Sequence, residues 1–197
     1  ASDVYKRQGL AKTRLARDIG AAAAIGAYRC MVALILRRLS RDMRWRVVLA
    51  VAPDGLAQTR AFPLCLLRLP QGRGDLGVRM QRAFDRFRRE GPVLIVGSDI
   101  PDIAPRHVAK AFRALSGHDA MLGPAPDGGY WAIGLGRRRR LAPFANVRWS
   151  SPHARRDTLD NLKGARVGLL DELADVDTAE EWRAWTRQPP SRRFRGV

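Results

Sequence analysis

The run Pro92-Val-Leu-Ile-Val-Gly97 most constrains this chain, because an apolar segment that short and β-branched must be a strand buried inside a sheet. Its setting points to the kind of sheet. Similar runs at Arg46–Ala52, Cys65–Leu69, Ala120–Leu122, Tyr130–Gly134 and Val167–Leu170 alternate with segments of helical pattern. The helical segments are Ala21–Leu39, Leu76–Arg89, Pro105–Leu115, Pro152–Leu162 and Ala179–Trp185. Strands taking turns with helices predict one sheet covered by helices, an α/β fold with no linker and no internal repeat. In such sheets ligands collect beyond the carboxyl ends of strands, which draws attention to Gly97-Ser98-Asp99-Ile100-Pro101-Asp102. Asp99 there can hold a hard cation or a ribose hydroxyl, or it can cap a turn; the segment alone leaves both open.

Three further constellations carry chemistry. Gly123-Pro-Ala-Pro-Asp127-Gly128-Gly129-Tyr130 joins two short strands. Paired glycines admit a ligand close to the backbone, and Asp-Gly is equally a hairpin turn; the two readings are compatible. Lys12-Thr13-Arg14-Leu15, just ahead of the long helical segment, offers two cations and a hydroxyl to a phosphate, or plain surface charge to solvent. Asp171 to Glu181 contains Asp175, Asp177, Thr178 and Glu181. Thr178 and Glu181 read as a helix cap, whereas carboxylates alternating at 175 and 177 in so basic a chain suit a divalent cation.

The net charge of +17 suggests a nucleic-acid partner. Four of the 36 basic residues are lysine and the other 32 are arginine, scattered apart from Arg137–Arg140 and the tail. No nucleic-acid-binding motif accompanies them, which argues against that partner; a basic field still attracts small anions. No apolar run reaches the roughly 18 residues that a membrane span requires. Cys30 and Cys65 have no paired spacing and read as buried reduced thiols, as in a cytoplasmic protein. The three histidines lack metal-ligand spacing.

Taken in order, Lys12-Thr-Arg-Leu15, Gly74-Asp75-Leu76-Gly77-Val78-Arg79-Met80, Gly97-Ser98-Asp99-Ile-Pro101-Asp102, Gly123-Pro124 with Asp127-Gly-Gly-Tyr130, Trp149-Ser150 and Asp175-Val-Asp177-Thr178 resemble the bacterial DUF2064 proteins. That family is associated with arsenosugar-biosynthesis-type glycosyltransferases. The resemblance runs from residue 12 to about 185. It implies a three-layer α/β/α sandwich with a mostly parallel sheet, the nucleotide-diphospho-sugar transferase (GT-A-like) fold. It further implies Mg2+ or Mn2+ on Asp99 and Asp177 or Asp175, and nucleotide phosphates on Lys12, Arg14 and Ser98, with Asp75 and Arg79 at the pocket border. Asp127 would join Asp99 in catalysis, and Asp102, Gly128, Gly129, Tyr130 and Trp149 would line the substrate side.

The reaction implied is metal-assisted transfer from a nucleotide-linked donor, a nucleoside-diphosphate sugar, to a small-molecule acceptor. Nucleotidyl transfer from a nucleoside triphosphate is the alternative, through the family's likeness to molybdenum-cofactor and phospholactate nucleotidyltransferases. A basic binding module without catalysis is the third reading. The expected organisation is one transferase domain over residues 9–187, preceded by a non-native Ala1–Gln8 and followed by a basic tail over 188–197. The resemblance also implies a first strand and Gly/Pro loop ahead of Lys12, where this chain has Ala1–Gln8 and Gly9.

Overall fold

A computed structural model of the chain describes residues 12–58, 66–137 and 141–189. The elements are α1 (Thr13–Ile19), α2 (Ala21–Ser40), β1 (Val48–Val51), β2 (Leu67–Pro70), α3 (Leu76–Phe87), β3 (Val93–Val96) and α4 (Pro105–Ala114). They continue with β4 (Ala120–Pro124), β5 (Tyr130–Leu135), α5 (Ala154–Asn161), β6 (Val167–Leu169) and α6 (Ala179–Arg187). Every helix and strand anticipated from the pattern is present with shifted ends, except that Cys65 and the expected N-terminal segment fall outside the described residues. The chain forms two compact units.

One unit comprises Gln71–Gly97 and Arg106–Ala174. Its sheet has the order β3-β5-β4-β6. β4 pairs antiparallel with β5 and parallel with β6, and β5 pairs antiparallel with β3. β3, β4 and β6 therefore share a direction, and β5 runs against them. One face of the sheet sets Ala120, Leu122, Ile133 and Leu135 against Met80 and Phe84 of α3 and Leu162 beyond α5. On the other face Leu115, just beyond α4, and Leu94 both close over Gly134, each 3.1 Å from where a Cβ would stand. The unit is thus helix, sheet, helix.

The strand that looked most deeply buried is not. β3 is half-buried along its whole length, whereas β4 is buried throughout. β3 stands at the end of the strand order, with one paired neighbour among the described residues, while β4 is paired on both sides. An apolar run reports a strand's composition; its place in the order decides its exposure.

The other unit holds residues up to Pro70, Ser98–Pro105 and Asp175 onward. β1 and β2 form a parallel pair with Val48 opposite Leu67. α2 supplies Tyr28, Met31, Val32 and Leu34 to a core shared with Leu49, Val51, Val176 and Trp185. Leu15 of α1 packs with Ala24, Ala27 and Ala179. The segment Lys12–Leu15 is the start of a helix of its own, α1, where the pattern suggested only an approach to α2. Gly20, at φ 84 and ψ 151, breaks the two helices apart in a conformation that suits glycine. Cys30 is exposed, not buried, because it lies on the outward face of α2 beside Arg29.

Candidate cation and phosphate site

Asp99 lies three residues after β3, at the start of the Ser98–Pro105 segment of the second unit. Its backbone carbonyl accepts from Val176 N at 3.1 Å, which ties the Asp175–Asp177 segment alongside. Val176 is turned into the core with Tyr28 and Met31. In an extended segment the residues on either side of a buried one face the opposite way, so Asp175 and Asp177 emerge together. Asp99, Asp175 and Asp177 each bring an oxygen to within 4.8 Å of the others. The alternation of carboxylates thus has a physical cause: one apolar anchor between two outward-facing side chains.

The ends of this cluster are fixed by backbone bonds. Glu181 accepts from the amides of Asp177 at 2.7 Å and Thr178 at 2.8 Å. Thr178 accepts from Glu181 N in return, a capping box at the start of α6. Behind Asp99, the Ser98 hydroxyl meets Tyr28 Oη at 2.7 Å. Arg38, 3% exposed, donates to the carbonyls of Pro101 and Ile103. Asp102 accepts from Trp185 Nε1 at 3.3 Å.

Lys12 enters the carboxylate cluster itself. Its Nζ lies 2.8 Å from Asp99 Oδ2 and also donates to Asp177 Oδ1, and its side chain is 6% exposed. Burial works against the Lys12 ammonium, yet the charges of Asp99 and Asp177 outweigh it and hold the pKa above its ordinary value. Arg14, by contrast, is exposed on α1.

The remaining candidates belong to the first unit. Asp75 is the N-cap of α3 and accepts from Val78 N at 2.8 Å. Arg79 Nε donates to Gly74 O at 2.9 Å. Asp127 Oδ1 accepts from Gly129 N at 2.8 Å, so the Asp127-Gly128 pair does turn the β4–β5 hairpin. Gly128 has φ 83, and a Cβ there would meet Pro152 O at 2.3 Å. Glycine is required on both counts. Tyr130 and Trp149 meet edge to face at 6.5 Å, and Trp149 also meets Phe144 at 6.0 Å.

Burial pushes the Tyr130 phenol up to about 12, against a weaker opposing pull from the Thr158 hydroxyl. An unfolded tyrosine titrates near 10, so between about 10 and 12 the folded state keeps a proton that the unfolded state has lost. Stability from this group is therefore complete below about 10 and lost as pH rises through 12. From pH 9 to 11 the wild type is expected to lose about 1 kcal/mol more than Tyr130→Phe. Equal losses in urea titrations at the two pH values would refute it.

Tyr28 and Arg38 are not singled out by the sequence. Tyr28, Met31, Ile35 and Arg38 follow a spacing of three and four along α2, which puts all four on its buried stripe. Polar groups on such a stripe must find partners, and this was the available signal. Tyr28 and Arg38 find theirs in the segment that begins at Ser98.

Among the described residues, no helix is long and apolar enough to cross a membrane. The sequence profile of a bacterial family described as "uncharacterized protein conserved in bacteria (DUF2064)" matches residues 35–151. No curated protein matches the chain. The crystal structure of a putative nucleotide-diphospho-sugar transferase from Desulfovibrio desulfuricans G20 is similar, with TM-score 0.85 and 26% identity over 100% of this chain and 90% of that one. Molybdopterin-guanine dinucleotide biosynthesis protein A from Archaeoglobus fulgidus matches at TM-score 0.49 and 11% identity, over 78% of this chain and 82% of that one. The first of these similarities bears out the expected α/β fold of the nucleotide-diphospho-sugar transferase type.

Proposed function

Because the chain belongs to the DUF2064 family, we propose that it is a metal-assisted transferase working on a nucleotide-linked donor, moving a glycosyl group from a nucleoside-diphosphate sugar to a small-molecule acceptor. The observation that carries this reading is the convergence of Asp99, Asp175 and Asp177 within 4.8 Å. Three carboxylate oxygens on a partly open surface form the donor set that Mg2+ and Mn2+ prefer, with room left for phosphate oxygens. These residues would hold the cation; bound there, it supplies neutralisation of the charge that develops on the leaving diphosphate.

The chain's own groups do the rest. The Val176–Asp99 backbone bond and the Glu181 carboxylate hold the backbone at Asp99 and Asp177 in place before a ligand arrives. Lys12 and Arg14 are the cations proposed for the donor phosphates, with Ser98, Asp75 and Arg79 assigned to the nucleotide by the family resemblance. The same resemblance assigns Asp127 to catalysis and Asp102, Gly128, Gly129, Tyr130 and Trp149 to the substrate. Asp75 and Asp127 already serve local turns, and that duty is compatible with a ligand on their second oxygens.

The test is thermal. A nucleoside diphosphate at about 100 times its Kd, with Mn2+ present, is expected to add about 2.7 kcal/mol of stability to the wild type, and Asp177→Asn is expected to lose most of that gain. A gain of equal size in both proteins would remove Asp177 from the site. No shift with any nucleotide would favour the binding-module reading instead.

A further inference from the structure

The buried ammonium of Lys12 has a consequence for how the carboxylate cluster is loaded. Lys12 Nζ takes Oδ2 of Asp99 and Oδ1 of Asp177, which belong to two of the three residues assigned to the cation. The lysine reaches them from a constrained backbone. Lys12 has φ 53 and ψ 52, a left-handed conformation in a residue with a long side chain, and it precedes α1 without a side-chain cap. Such a conformation persists only where surrounding contacts hold it. The two carboxylates are among those contacts, as is the bond from Ala16 N to the Lys12 carbonyl.

We infer that Lys12 is a tethered occupant of the cation site: its ammonium and a divalent cation exclude each other at Asp99, Asp175 and Asp177, so the site loads only as Lys12 withdraws. This rests on the proposed assignment of the cluster to a cation. The oxygens lie within 4.8 Å of one another, so a divalent cation among them would stand against an ammonium already 2.8 Å from Asp99. Like charges that share the same carboxylates repel strongly where water is partly excluded. With Lys12 in place, part of the negative charge of the cluster is neutralised. With Lys12 out, the cluster regains the charge and oxygens that a hard cation needs. A diphosphate arriving with the cation would give the withdrawn ammonium a new partner. The geometry therefore couples cation entry to the arrival of an anionic donor. It also reconciles the two roles implied for this region: phosphate binding by Lys12 and metal binding by its present partners.

The full wild-type chain allows a direct test, because lysine occurs at only four positions. Brief acetylation with an N-hydroxysuccinimide ester, read by peptide mass spectrometry, reports which ammonium groups are accessible. Lys12 is expected to be protected without cation and to label several-fold faster with millimolar Mg2+. Lys163, 79% exposed, is expected to label equally in both states. In parallel, Lys12→Met is expected to bind Mn2+ roughly tenfold more tightly than wild type by electron paramagnetic resonance, as the competing charge is gone. If Mn2+ binds both proteins equally and Lys12 stays protected, exclusion is wrong while the cation assignment stands. If neither protein binds millimolar Mn2+, the cation assignment falls and this inference falls with it. Should Lys12→Met fail to fold, the wild-type labelling decides alone.

Discussion

Asp99→Asn is expected to lower metal-dependent turnover about 100- to 1,000-fold, the usual cost of losing one preorganised charge at a reacting diphosphate. Its effect on folding should be small. Asparagine keeps the shape of aspartate and an oxygen that can accept from Lys12, and Lys12 keeps its second partner in Asp177. Removing one of three crowded carboxylates also relieves repulsion among them. The net change is expected to stay within about 1 kcal/mol, a shift of roughly 2–4 °C in Tm for a chain of this size. Steady-state turnover and a melting curve on the same preparation separate the two effects. Unchanged turnover would remove Asp99 from the cation, and a collapse in Tm would make it a structural residue.

Trp131→Ala is expected to have the largest effect on stability, about 4 kcal/mol or roughly 10 °C in Tm. Trp131 is 2% exposed and is the second residue of β5, close to the turn that carries Asp127. Its ring meets His107 edge-on at 6.1 Å, and its Nε1 donates to Asp171 O at 2.9 Å. Deletion leaves a cavity and a carbonyl without its donor. The space above Gly123 belongs to the same indole: a Cβ at 123 would stand 2.4 Å from Cε2. Gly123→Ala is therefore expected to cost about 1–3 kcal/mol through overpacking. The double variant supplies the sharper reading. Once the indole is gone, alanine at 123 has room, so the two losses should fall short of additivity by about 1 kcal/mol or more. Additive losses would mean that Gly123 is required for a reason other than Trp131.

Much of this arrangement was readable from residue patterns, and what was not has physical causes. The β4–β5 hairpin followed from Asp127-Gly128 between two apolar runs, because that turn demands a positive φ that glycine provides. The capping box followed from Thr178 and Glu181 at a spacing of three. The exposure of β3 could not be read, since strand order is set by partners distant in sequence. Nor could α1 be read, since a helix of 7 residues is too short for apolar periodicity to mark, whereas the start of α2 after Gly20 was legible. The family resemblance already implies one cation shared by Asp99 with Asp177 or Asp175; what residue patterns do not announce is the Val176–Asp99 backbone bond that brings the segments together. Lys12 reads from the sequence as a phosphate ligand or as surface charge, because a sequence shows a cation's charge but not the carboxylates that fold back on it.

The central claim is donor chemistry at the Asp99 cluster, and one measurement addresses it most directly. Purified full-length chain is incubated with a panel of nucleoside-diphosphate sugars, with Mn2+ or with chelator, and free nucleoside diphosphate is quantified. Release that requires the cation and is lost in Asp99→Asn is the expected result. Pyrophosphate released from nucleoside triphosphates, with no diphosphate released from any sugar donor, would contradict it.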